Sequence, residues 1–230
     1  MIEYDYTLAL ALEDFVTIIF FGIGLYFLGR MSINIESKPG RLVFAGGVII
    51  TIGGISQAMW KMAIVLLRQD ISLLNDAQFI LMMPGYIILA AGLLQALRCY
   101  RQNEGLKNLA AISAVTILLT YGLAAFFALT SDGRTWFFVL LGMTTIVNVI
   151  ISWTLVKFSW LEGEKLAGWL FLINILLVFT LAGMAGVLGQ DLTGQWIKQI
   201  TGNFSFAAFA VAAYLITRRV LSNLSGAAAG

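Results

Sequence analysis

Apolar residues in this chain run in long unbroken blocks, and polar residues collect in short clusters between them. Seven blocks stand out: about Thr7–Gly29, Leu42–Leu67, Ala77–Leu97, Leu106–Thr130, Thr135–Phe158, Leu166–Leu188 and Gly194–Thr217. A hydrocarbon core of about 30 Å takes about 20 helical residues to cross, and each block is long enough. The linkers hold the turn formers: Ser37-Lys38-Pro39-Gly40, Asn75-Asp76, Asn103-Glu104-Gly105, Ser131-Asp132-Gly133 and Gly189-Gln190-Asp191. Linkers this short make consecutive helices antiparallel neighbours. The pattern predicts an all-α, polytopic integral membrane protein: a seven-transmembrane-helix bundle forming one domain over residues 1–221. A small, polar C-terminal tail over 222–230 is expected to be flexible. No internal repeat aligns convincingly.

Composition agrees with the pattern. The chain of 230 residues is 60% hydrophobic and 11% charged, with mean hydropathy +0.91, whereas soluble domains carry about 25% charged residues. The N-terminal stretch MIEYDYTLALALEDF is acidic and has no positive n-region, so the first apolar block is expected to remain as a spanning helix rather than be cleaved as a signal peptide. Loop lysines and arginines are unevenly shared. Arg30, Lys38, Arg41, Arg98, Arg101, Lys107, Lys157, Lys165, Arg218 and Arg219 fall on one side, and only Arg68, Arg134 and Lys198 on the other. The positive-inside rule then predicts an external N-terminus and a cytoplasmic C-terminus; for a prokaryotic source the membrane expected is the cytoplasmic (inner) one. Tyr4, Tyr6, Trp136 and Trp196 near one interface, and Tyr26, Tyr100, Trp160, Trp169 and Tyr214 near the other, form the aromatic belts expected of such a bundle.

Several chemistries are excluded by residue type. There is no histidine and one cysteine, Cys99. That removes intrachain disulfides, Cys-based metal sites, His-ligated haem and Ser-His-Asp chemistry. No metal site and no cofactor is expected. A net charge of +2 is too small to suggest nucleic acid. No P-loop, G-x-S-x-G or paired acid motif is present, so the chain is read as not an enzyme, with no catalytic residue assigned.

What remains is the polar minority inside the apolar blocks. Lys61 interrupts the second block, and an ionisable group there needs a partner or water. Glu13 and Asp14 lie about 9–11 Å below the outer end of the first helix at about 1.5 Å per residue, and Lys61 lies at the same depth on its antiparallel neighbour. Either acid is a natural partner, but about 100° of helical rotation separates the two, so only one can face Lys61 squarely. Gln57 is one turn from Lys61 on the same face and Trp60 adjoins it. Gln199, Thr201, Asn203 and Ser205 descend through this depth on the seventh helix. Thr120 and Tyr121 reach it on the fourth. Pro84 frees a backbone carbonyl in the third. Together these predict a polar pocket in the outer half of the bundle, lined by Glu13, Asp14, Gln57, Lys61 and Asn203 with Trp60 and Tyr121 as walls. Asn148 and Asn174, deeper in the fifth and sixth helices, read as interhelical hydrogen-bonding residues. Gly22, Gly24, Gly46, Gly47, Gly53, Gly54, Gly183 and Gly186 read as close-packing positions.

Two readings of function follow. In one, the chain binds or transports a small molecule or ion through the outer pocket. In the other, it is a noncatalytic subunit of a larger membrane complex, with a homo-oligomer or other membrane chains as partners beside the lipid bilayer. Seven helices with an external N-terminus resemble the opsins and seven-helix receptors in topology alone. A retinal pigment would need a Schiff-base lysine in the middle of the last helix, and the centre of that helix here, FSFAAFAVAA, has none.

Overall fold

A computed structural model describes residues 6–102, 108–188 and 191–229. Glu3, Tyr4, Asp5, the turn Asn103-Glu104-Gly105, Lys107, Gly189 and Gln190 lie outside the described residues, as does the packing of Gly186. The described chain is all-helical: α1 (Leu8–Ile35), α2 (Ser37–Leu67), α3 (Ser72–Gln102), α4 (Leu109–Thr130), α5 (Thr135–Leu161), α6 (Lys165–Val187) and α7 (Leu192–Ala229). All seven are long and apolar enough to cross a membrane, and the chain is a multi-pass membrane protein.

The helices outrun the apolar blocks, because hydropathy marks the part in hydrocarbon and not the helical ends beyond it. At about 1.5 Å per residue α3 is about 46 Å long, against a hydrocarbon core of about 30 Å. The segment Ser37-Lys38-Pro39-Gly40, expected as a turn, is instead the first turn of α2. Pro39 fits there because a first-turn N–H has no intrahelical acceptor to lose. The reversal between α1 and α2 takes one residue, Glu36, in extended conformation with its N–H on the Ser32 carbonyl at 2.9 Å. At the other end of the chain α7 continues past Thr217 through the expected tail to Ala229. Asn223 on that extension donates to the Glu162 carboxylate at 3.1 Å, and the Tyr100 hydroxyl donates to the same oxygen at 3.0 Å.

Helix α2 organises the packing. It lies between α1 and α3, and it meets them with adjacent residues repeated every seven: Pro39-Gly40, Gly46-Gly47, Gly53-Gly54 and Trp60-Lys61. In the three doublets that hold glycine the first residue meets α3 and the second meets α1, and Lys61 faces α1 in the same way. A Cβ on Gly46 would stand 2.5 Å from the Leu89 nitrogen and 2.6 Å from the Gly85 carbonyl oxygen, and one on Gly53 would stand 2.9 Å from the Gln78 carbonyl. Gly85 and Gly92 on α3 meet α2 backbone in return. On the other side Gly40 meets Ile33, Gly47 meets Leu25 and Gly54 meets Ile18. Small residues at such positions let helix backbones approach, and a seven-residue period keeps one seam facing one partner along the whole length. Gly24 also packs closely, against Phe209, whereas Gly22 and Gly183 meet open space.

The helices α1, α2, α3, α5, α6 and α7 close in sequence around the interior, with α7 back against α1 and α3 the most enclosed span. Helix α4 stands outside this ring on α3 and α5, burying only Thr120 and Ala124. The apolar core fills the end of the bundle where α1 finishes and α2 begins: Leu28, Met31, Val43, Leu93, Leu155, Phe171 and Ile216 are fully buried there. The opposite half is less completely filled.

Pro84 lies inside α3 and lacks the N–H that would reach the Ile80 carbonyl four residues earlier. The Tyr121 hydroxyl of α4 donates to that carbonyl at 2.5 Å. A backbone acceptor with no water nearby is costly to leave unmade, so Tyr121 repairs what Pro84 removes and ties α4 to the ring. Tyr121→Phe is therefore expected to lower stability in detergent by about 1–3 kcal/mol. In a Pro84→Ala background the same change should cost less than half as much, because residue 84 then supplies its own donor. Purely additive losses in a double-mutant cycle of thermal unfolding would contradict this pairing.

Candidate functional site

The last doublet of α2 delivers Lys61 to α1. Its Nζ stands 3.0 Å from Asp14 Oδ1 and 2.7 Å from Oδ2, and the lysine is 8% exposed. Asp14, and not Glu13, is the ion-pair partner. The antiparallel glycine seam explains why. Gly40, Gly47 and Gly54 meet Ile33, Leu25 and Ile18, so the next step along α2 meets the turn that carries Asp14. Tyr6 closes the top of the pair, with Nζ 5.6 Å from its ring centre, a geometry in which the ring face attracts the cation. Tyr6 meets the Trp60 ring edge-on at 6.0 Å, and Trp60, facing the α3 side, donates its indole N–H to Asp70 at 2.8 Å.

Helix α7 completes the cluster. Gln199 and Asn203 lie one turn apart on it. Gln199 donates to Asp14 Oδ1, and Asn203 donates to Glu13 Oε1 while accepting from the Thr17 hydroxyl at 2.5 Å. Glu13 is thus turned from Lys61 toward α7, the division of labour that consecutive residues on one helix require. Its second oxygen, Oε2, is buried with no hydrogen-bond partner among the described residues. Three helices are joined at one level by one ion pair and three side-chain hydrogen bonds.

Of the residues expected in this pocket, Glu13, Asp14, Lys61 and Asn203 come together directly, and Trp60 adjoins them through Tyr6. Gln57 stands between this cluster and a larger space below it. Tyr121 is elsewhere, on α4 at the Ile80 carbonyl. Thr201 and Thr120 bond back to carbonyls of their own helices at 2.8 Å each. Thr17, Tyr6 and Asp70 belong to the cluster and were not expected. Thr17 carried a signal, since it lies three and four residues past Asp14 and Glu13 and so shares their side of α1.

Below the ion pair the bundle is hollow. A small cavity of about 110 Å³ is lined by Asp14, Thr17, Phe21, Gln57, Gln78 and their apolar neighbours. It shares Phe21, Gln57, Gln78, Met82 and Phe206 with a central cavity of about 470 Å³ between α3, α5, α6 and α7. Aromatic rings wall the central cavity: Phe21, Phe79, Tyr86, Phe179, Phe206 and Phe209. Its polar groups are all uncharged: Gln57, Gln78, Thr144, Thr145, Asn148, Ser152 and Asn174. Asn174 bridges α6 to α7, donating to the Ser205 hydroxyl at 2.9 Å and to its carbonyl at 3.0 Å, as interhelical glue. Asn148 differs. Like Gln57 and Gln78, it has no hydrogen bond to another described residue. The sequence does carry a trace of this wall, in Thr144, Asn148 and Ser152 spaced four apart along one face of α5.

Removing the Lys61 charge leaves Asp14 as a buried, unpaired acid, so Lys61→Met is expected to destabilise the bundle by about 3–5 kcal/mol. Adding Asp14→Asn should recover part of that loss, and adding Glu13→Gln should not. Equal recovery from either acid substitution, read from thermal unfolding in detergent, would contradict the pairing. Compared with known proteins, the chain matches no family model, no curated protein and no solved structure.

Proposed function

We propose that this protein binds a small, uncharged, ring-bearing molecule in its central cavity, as a membrane receptor or carrier, with the cluster around Asp14 and Lys61 as the lid on the N-terminal side. The observation that carries the reading is the set of three amide side chains, Gln57, Gln78 and Asn148, that line the cavity with no hydrogen bond to another described residue. All three are half-buried, and each faces the cavity rather than a hydrogen-bonding neighbour on another helix. A side chain left free in a hollow of this size is a group available to a ligand or to water. The volume of about 470 Å³ falls within the range of small-molecule sites, about 300–1,000 Å³. Apolar walls with a few hydrogen-bonding groups favour a lipid-soluble molecule carrying a carbonyl or hydroxyl. The absence of charge from the lining argues against a bare ion there, because an ion would have to shed water for neutral groups alone. No reaction is proposed. The orientation implied by the loop cations, with the N-terminus outside a cytoplasmic membrane, would open the lid side to the exterior.

The Asp14–Lys61 pair has a second role in this reading. It fixes α1, α2 and α7 where they border the small upper cavity, and its rupture would loosen that border.

The test is native mass spectrometry of the full chain taken from its own membrane in nanodiscs, followed by extraction and identification of bound molecules. A discrete, stoichiometric non-lipid molecule is expected in the wild type. It should be lost or reduced at least tenfold in Asn148→Leu and Gln78→Leu variants that keep the wild-type melting temperature. Recovery of bulk lipid alone would overturn the reading, as would other polypeptides in fixed stoichiometry with no small molecule. The latter result would make the chain a structural subunit.

A further inference from the structure

At the opposite end of the bundle, away from this cavity, the last turns of α3 and α5 border a groove of about 590 Å³. Arg98 and Arg101 line it from α3, and Trp153 and Lys157 from α5. Spacings of three and four place the members of each pair on one helix face. Lys157 lies over the Trp153 ring at 5.2 Å. All three cations are exposed, and none forms an ion pair with a described residue. Glu162, which follows the groove residue Leu161, is engaged elsewhere: its carboxylate accepts from Tyr100 and Asn223, and its backbone carbonyl accepts from Arg219. Beneath the cations the lining turns apolar, with Leu97 and Phe158 buried and Leu161 at the edge.

Three cations over an apolar floor, with no ion pair to a described residue, repel one another, and a shared anion relieves the repulsion. Arginine guanidinium groups match phosphate oxygens in a two-point geometry. The groove lies where spanning helices leave the hydrocarbon, and its exposed Trp153 is a side chain suited to that interface. A free phosphate would satisfy the cations but not the floor. We propose that this groove is a binding site for an anionic phospholipid, with the headgroup phosphodiester held among Arg98, Arg101 and Lys157 and the acyl chains starting over Leu97 and Leu161. Basic pockets between membrane helices bind anionic headgroups by this chemistry.

The test uses the full chain in micelles containing phosphatidylglycerol and phosphatidylcholine in equal amounts, with retained lipid read by native mass spectrometry. Preferential retention of phosphatidylglycerol is expected. Each cation removed should weaken the preference about fivefold, so Arg98→Gln and Lys157→Gln each reduce it and the variant lacking all three abolishes it. A control with the same charge removed elsewhere at this end (Lys38→Gln, Lys165→Gln and Arg218→Gln) should keep it. Equal retention of both lipids by the wild type would overturn the proposal without any variant. So would a loss of preference in the control equal to that in the groove variant. Displacement of the lipid by millimolar inorganic phosphate would show a free-anion site instead.

Discussion

A lysine in hydrocarbon must bring its own counter-charge, and the arrangement of this bundle follows from where that charge is found. The cost of an unpaired cation at the centre of a spanning helix is about 2.5–3.5 kcal/mol on insertion scales. Lys61 meets Asp14 because α2 has one fixed register against α1. That register is set by Gly40, Gly47 and Gly54. The same helix turns the preceding residue of each doublet to α3, where Gly46 and Gly53 bring backbones into contact. The ion pair is therefore the polar end of a packing seam, and Gln199 extends it to α7.

The bundle is solid at one end and hollow at the other. Close-packed Leu, Ile, Met and Phe side chains fill the half where α1 and α2 are joined. The half nearer the N-terminus holds two adjoining cavities next to the Asp14–Lys61 cluster. Asn174 shows what a structural amide does here: its Nδ2 crosses to the hydroxyl and carbonyl of Ser205 on α7. Gln57, Gln78 and Asn148 make no such bond to another described residue.

The span count and the depth of the charged residues could be read from the sequence because both depend on one dimension, distance along a helix. Lys61 and Asp14 lie at equal depth whatever the rest of the fold does. The choice of Asp14 over Glu13 depends on helix rotation, which one pair of helices fixes only through its packing seam. The doublets Gly46-Gly47 and Gly53-Gly54 carried that rotation in plain view, as a period of seven ending at Trp60-Lys61, but they read as generic small residues until their partners were known. Tyr121 was misplaced for a related reason. Depth put it level with the cluster, yet α4 lies outside the ring, and no feature of its own sequence says so. Its true contact is tied to Pro84, two features that the sequence offered separately. The central cavity was the least legible, because a void is a property of several helices together.

The most direct measurement is the distance from the Lys61 side-chain nitrogen to the side-chain carboxyl carbons of α1, by solid-state NMR on the protein in lipid, with Lys61→Met used to assign the signal. Strong coupling to the Asp14 carboxyl carbon is expected, at the distance set by oxygens 2.7 and 3.0 Å from Nζ, with weaker coupling to that of Glu13. Stronger coupling to Glu13, or none to either acid, would mean that α2 does not meet α1 in the register its glycines describe.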